Sequence, residues 1–227
     1  MRLSLLGLIG VSSLLFVSGA SATTLISPSE ANIAGTVTVN NAGVTFSNVV
    51  ITGPESGSFV GSTSATLKPL IGPPTTGAVN IPQFAVFANP AGDISFDLQN
   101  IFAGIGTAGA CTSNNVGNVC TPAGSPFTLV QSAPGQVTLS LALSGIAYTG
   151  SAATGFSEAP FSFTSQNVML PGTITGIIAE ASTATGFTNS FSATVSASAV
   201  PEPASCLLMG AGLVAAGLTA RRKARNQ

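Results

Sequence analysis

Histidine and tryptophan are absent from this 227-residue chain, and only 6% of its residues carry a charge, against roughly 25% in an ordinary soluble domain. Each shortage removes a class of function. Without histidine there is no Ser-His-Asp triad, no Cys-His pair and no imidazole ligand for a metal. Six Lys and Arg residues are too few to neutralise a phosphate backbone, which excludes nucleic acid as a partner. Tyr148 is the one tyrosine, so the flat side chains on which sugar rings stack are scarce. An enzyme would have to move protons with Asp, Glu or a single body lysine, and no constellation of those groups stands out. The expectation is a non-enzymatic protein without a cofactor.

What is present is concentrated at the two ends. Residues 1–22 hold one positive charge, Arg2, an apolar run Leu3–Val17, and the small-residue exit Ser18-Gly19-Ala20-Ser21-Ala22. That is the pattern of a secretory signal peptide cleaved after Ala22. At the other end, Ala204–Ala220 is apolar and would rise about 26 Å as a helix, at the short end of a bilayer span. Arg221, Arg222, Lys223 and Arg225 follow, four of the six basic residues. They act as a membrane stop that holds this end in the cytoplasm and leaves the body outside. Three parts result: a signal peptide (1–22), an exported domain (23–197) and a terminal signal (198–227). Cys206 falls inside the apolar helix as a small apolar residue.

The order Pro201-Glu202-Pro203, short apolar helix, basic cluster resembles the PEP-CTERM sorting signal of bacterial envelope proteins. The resemblance covers only the last 28 residues. It implies a Gram-negative-type envelope and a partner, an exosortase-type integral-membrane cysteine peptidase that recognises the motif and removes the tail at export. It also implies a mature protein ending near Val200, and an association with bacteria that make extracellular polysaccharide. A permanent membrane anchor is the alternative reading of the same tail. The body is untouched by the resemblance, because this signal is attached to many unrelated domains.

The body is long enough to bury one core. Lys68 is its only basic residue, against Glu30, Glu55, Asp93, Asp97, Glu158 and Glu180. Solubility therefore rests on Ser, Thr, Asn, Gln and Gly. Its periodicity is two: Val137-Thr-Leu139-Ser-Leu141-Ala-Leu143 alternates, as do Ile94-Ser-Phe96-Asp-Leu98, Phe161-Ser-Phe163 and Phe191-Ser-Ala193-Thr-Val195. Such alternation puts apolar side chains on one sheet face and hydroxyls on the other. Turn signals at Asn40–Gly43, Gly72-Pro-Pro74, Asn89–Gly92 and Ala133-Pro-Gly135 separate about ten short strands. Helix-period stretches are not evident. These features predict an all-β antiparallel β-sandwich or jelly roll, with a β-solenoid as the rival. One internal echo, Ala153-Thr-Gly-Phe156 leading to Phe161 and Ala184-Thr-Gly-Phe187 leading to Phe191, reads as two strand entries of similar shape.

Cys111 and Cys120 lie in an exported chain, separated by turn formers, and are expected to pair as a disulfide; two reduced thiols are the alternative. Gly104-Ile-Gly106-Thr-Ala-Gly109 matches the dinucleotide fingerprint, but no acid follows at residues 121–140, as the fingerprint requires roughly 20 positions on, so the match is rejected. Asp93 and Asp97 would sit about 13 Å apart along one strand, wider than a glycosidase dyad, and nothing around them resembles a calcium loop. Tyr148 is read as packed at a strand end with its hydroxyl wet. Two functions remain. One is a structural or adhesive protein of the extracellular matrix, linked to exopolysaccharide or biofilm. The other is a polysaccharide-binding module whose concave sheet face lies around Asp93, Asp97 and Asn100.

Overall fold

The computed structural model describes residues 28–198, apart from 154, 169 and 170. The expected signal peptide with its cleavage at Ala22, the motif Pro201-Glu202-Pro203, Cys206 and the basic residues Arg221, Arg222, Lys223 and Arg225 all lie outside the described residues.

Eleven strands carry the described chain: β1 (Ser29–Asn40), β2 (Gly43–Ile51), β3 (Ser64–Leu67), β4 (Leu70–Ile71), β5 (Gly77–Ala88), β6 (Ile94–Ile101), β7 (Val119–Cys120), β8 (Thr128–Ala133), β9 (Gln136–Thr149), β10 (Ser157–Val168) and β11 (Phe187–Ala197). One short helix, α1 (Ile174–Ala181), precedes β11. The strands follow the alternation in the sequence. Val137, Leu139, Leu141 and Leu143 of β9 are buried, as are Ala31, Ile33, Val37 and Val39 of β1. Turn chemistry sets the hairpins. β8 and β9 pair Ala133 with Gln136, leaving Pro134 and Gly135 as the central pair, with Gly135 at φ +73°. Proline fixes the first turn position and glycine accepts the left-handed second.

Every strand pair is antiparallel, and the sheet order is β3-β5-β6-β9-β10-β11-β1-β2-β4, with β8 added beside the start of β9 and β7 beside β8. The antiparallel all-β class is thus present, and among the described residues no strands pair in the parallel manner of a solenoid. The expected sandwich has two separately hydrogen-bonded sheets, whereas here one continuous sheet curls into a half-barrel. Bulges supply the curl. Pairing slips between Ala34 and Thr36 against β2, where Asn48 has φ +51°, and twice along β5–β6, where Gln83 has φ +51°. An extra residue on one strand bends it and increases the local twist. The concave face then meets itself. Phe46 of β2 lies 6.1 Å from Phe84 of β5, 5.9 Å from Phe163 of β10 and 5.6 Å from Phe191 of β11, all edge to face. Phe161 bridges Phe84 and Phe96 at 5.8 and 5.6 Å.

Helix α1 is the second departure from the sequence reading. Thr173 caps it, its Oγ1 accepting from Gly176 N at 3.2 Å, and Ile174 and Ile177 are buried against the sheet. The internal echo resolves into the entries of adjacent antiparallel strands, β10 and β11, which therefore start at opposite ends of the half-barrel. Phe161 and Phe191 both point inward, while Phe156 is exposed and Phe187 buried.

Candidate functional site

One end of the half-barrel is more elaborated than the other. β1 ends and β11 begins there, with Val39 opposite Phe187. Cys111, on a short 3-10 turn (Ala108–Thr112), is bonded to Cys120 on β7, with Cα atoms 5.2 Å apart. The loop they close is braced from inside: Asn118 Nδ2 donates to the carbonyls of Ala110 and Ser113 at 2.7 and 2.8 Å. It is also braced outward. Gly117 N donates to Gln131 O, and Gln131 N donates to Asn118 O.

Gln131 is the hub of this end. Its side chain is 1% exposed and occupies an inward position on β8. The two Nε2 hydrogens are shared among the carbonyls of Ala133, Gln136 and Gly172 at 2.9, 3.0 and 3.0 Å, and Oε1 accepts from Ile174 N at 3.3 Å. One amide thereby ties the β8–β9 turn to the first residue of α1. Asn114, from the disulfide loop, grips the same helix turn: its Oδ1 accepts from Thr175 N at 3.2 Å and its Nδ2 donates to Thr175 Oγ1 at 3.0 Å. A buried amide is tolerated only when satisfied, and this one is. Sequence reasoning missed Gln131, although a glutamine in the apolar phase of Leu129-Val-Gln131 was the available signal.

Between α1, the β1–β2 turn and the segments at Pro73-Pro74 and Pro122–Phe127 lies a cleft of about 370 Å³. Leu129, Leu139, Ile177, Ile178, Ala181 and Phe187 form its walls, with Asn40, Asn41, Ser125 and Ser182 also lining it. The size is within the range of small-molecule sites.

The carboxylates singled out in the sequence do not converge. Asp93 Oδ1 accepts from Asn89 N at 3.3 Å within the β5–β6 turn. Asn100 sits at the far end of β6, opposite Ala78 and Ser144. Asp97 holds the β5 bulge: its Oδ1 accepts from Gln83 N at 2.6 Å and from the Tyr148 hydroxyl at 2.9 Å. Lys68 Nζ donates to Pro82 O at 2.6 Å on the same bulge. Tyr148 is 7% exposed. Burial, then its hydrogen bond to Asp97 and that carboxylate's charge, hold the phenol above its ordinary range, with a hydrogen bond from Ser95 opposing. The hydroxyl expected to be wet is engaged by Asp97. Among the described residues no three His, Cys, Asp or Glu side chains come together in a metal-binding group. Residues 104–109 lead into the 3-10 turn at Cys111, not into the helix N-terminus that a dinucleotide fingerprint needs.

On the convex face, the outward residues of β10, β11 and β1 are mostly polar, Ala34 and Pro160 apart. Asn32, Thr194 and Ser162 lie side by side in register, as do Ser192 and Thr164, and a shallow groove runs over them. Thr194 Oγ1 donates to Asn32 Oδ1 at 2.7 Å.

No curated protein and no solved structure is significantly similar to this chain. Residues 199–223, directly after the described strands, match the family model of the PEP-CTERM protein-sorting motif, the mark of an exported envelope protein that exosortase sorts.

Proposed function

We propose that this chain is a non-enzymatic structural or adhesive protein of the extracellular matrix, cut from its membrane tail by exosortase and then displayed at or beyond the cell surface. The sorting motif at 199–223 carries this reading. The hydroxyl and amide ladder on the convex face supports the adhesive part, since rows of Ser, Thr and Asn across β1, β10 and β11 present uncharged hydrogen-bonding groups. The test is a triple substitution, Pro201→Ala, Glu202→Ala and Pro203→Ala, in the native host. The parent is expected at the surface and in the matrix, and the variant in the membrane fraction. A variant distributed like the parent overturns the sorting claim.

The second reading, a polysaccharide-binding module, moves from Asp93, Asp97 and Asn100 to the polar groove, because Asp97 is engaged by Tyr148 and Gln83. Its prediction is that Ser162→Arg with Ser192→Arg abolishes co-sedimentation with purified matrix polysaccharide. Unchanged co-sedimentation rejects the groove.

A further inference from the structure

We infer that the cleft beneath α1 is a binding site for a single uncharged amphiphile: an alkyl chain whose head is an alcohol, ester or amide. Three observations lead there. First, the walls are mainly apolar, with Leu129, Leu139, Ile177, Ile178, Ala181 and Phe187 drawn from four separate elements. Second, the polar rim is neutral: Asn40 and Ser182 are bonded within the protein, and the Asn41 amide and the Ser125 O–H are the groups a head could meet. Third, the charge balance excludes an anionic head. Lys68 is the only basic residue among those described; its Nζ is bonded to Pro82 O, and it does not line the cleft. The ionisable group beside the cleft is the Glu180 carboxylate, on α1, which lines the adjoining pocket with Phe187. A carboxylate or phosphate head would lose water without gaining a countercharge, and would face a like charge.

Ile71, two residues before the Pro73-Pro74 wall, is 90% exposed. This inference stands apart from the adhesive reading and from tail removal.

The test is titration of the exported protein, recovered from its host, with fluorescent NBD-dodecanol, competed by dodecanol and by dodecanoate. Saturable binding of one probe per chain is expected, displaced by dodecanol at least tenfold more effectively than by dodecanoate. Ala181→Phe, which fills the cleft from a half-buried position, is expected to weaken binding at least tenfold with an unchanged melting temperature. Ile178→Gln serves where the phenylalanine disturbs folding. In Glu180→Gln, dodecanoate is expected to compete better. Absence of saturable binding, or equal binding by parent and both cleft variants, overturns the site. Equal competition by the two dodecyl compounds overturns the neutral-head assignment.

Discussion

At the residue scale, the clearest chemistry is structural. Asp97 accepts from a backbone N–H on the β5 bulge and from Tyr148, so it secures the irregularity that helps the sheet to curl. Asp97→Ala leaves both donors without this acceptor, and is expected to cost about 1–3 kcal/mol by urea unfolding. Tyr148 is the only tyrosine, so absorbance at 295 nm reads its titration directly. Its pKa is raised on folding above the ordinary 10.0. A raised folded-state pKa gives stability that is complete below the unfolded value and lost as pH climbs through the folded one. The melting temperature is therefore expected to fall above pH 10, and Tyr148→Phe to flatten that fall. An ordinary phenol titration in the folded protein contradicts the assignment. Gly145 is required for space: a Cβ there would overlap the Asp97 carbonyl oxygen and lie 3.0 Å from the Phe96 ring. Gly145→Ala is expected to destabilise by about 1–3 kcal/mol or more, seen as a lowered urea midpoint.

At the element scale, the disulfide loop, β8 and α1 behave as one assembly joined by Gln131 and Asn114. Replacing Cys111 and Cys120 by Ser is expected to cost about 2.7 kcal/mol on the chain-entropy estimate for this loop. The loss is expected in oxidising buffer and not in reducing buffer, where the parent is also unlinked. An equal melting temperature for parent and variant in oxidising buffer rejects the staple. How much of this was legible differs by element. β9 was plain, because Val137 to Leu143 alternates without a fault and Pro134-Gly135 declares its turn. Helix α1 was not, although Ile174, Ile177, Ile178 and Ala181 follow helical spacing; eight residues with three β-branched isoleucines give a weak signal. Its stability comes from the Thr173 cap and from packing, neither of which a short window displays.

At the scale of the whole molecule, alternation gave the class and the inward face but not the closure. A sandwich and a curled single sheet demand the same period of two, and they differ in where pairing slips. Those slips fall at Asn48, between Ala78 and Ile81, and at Gln83, positions that carry no distinctive local pattern. The cleft was equally hidden, since its walls come from segments more than a hundred residues apart and only the fold assembles them. The sorting tail was legible because it is read as a linear sequence: Pro-Glu-Pro, an apolar run and a basic cluster in fixed order.

That tail also carries the central claim, export followed by removal of the terminal segment. Intact mass of the protein from its native host, taken separately from membranes and from the medium, tests it most directly. The account predicts a released species that begins at Thr23 and lacks the apolar segment 205–220. A membrane-bound species that keeps Arg221–Gln227, with nothing released, contradicts it and makes the tail a permanent anchor.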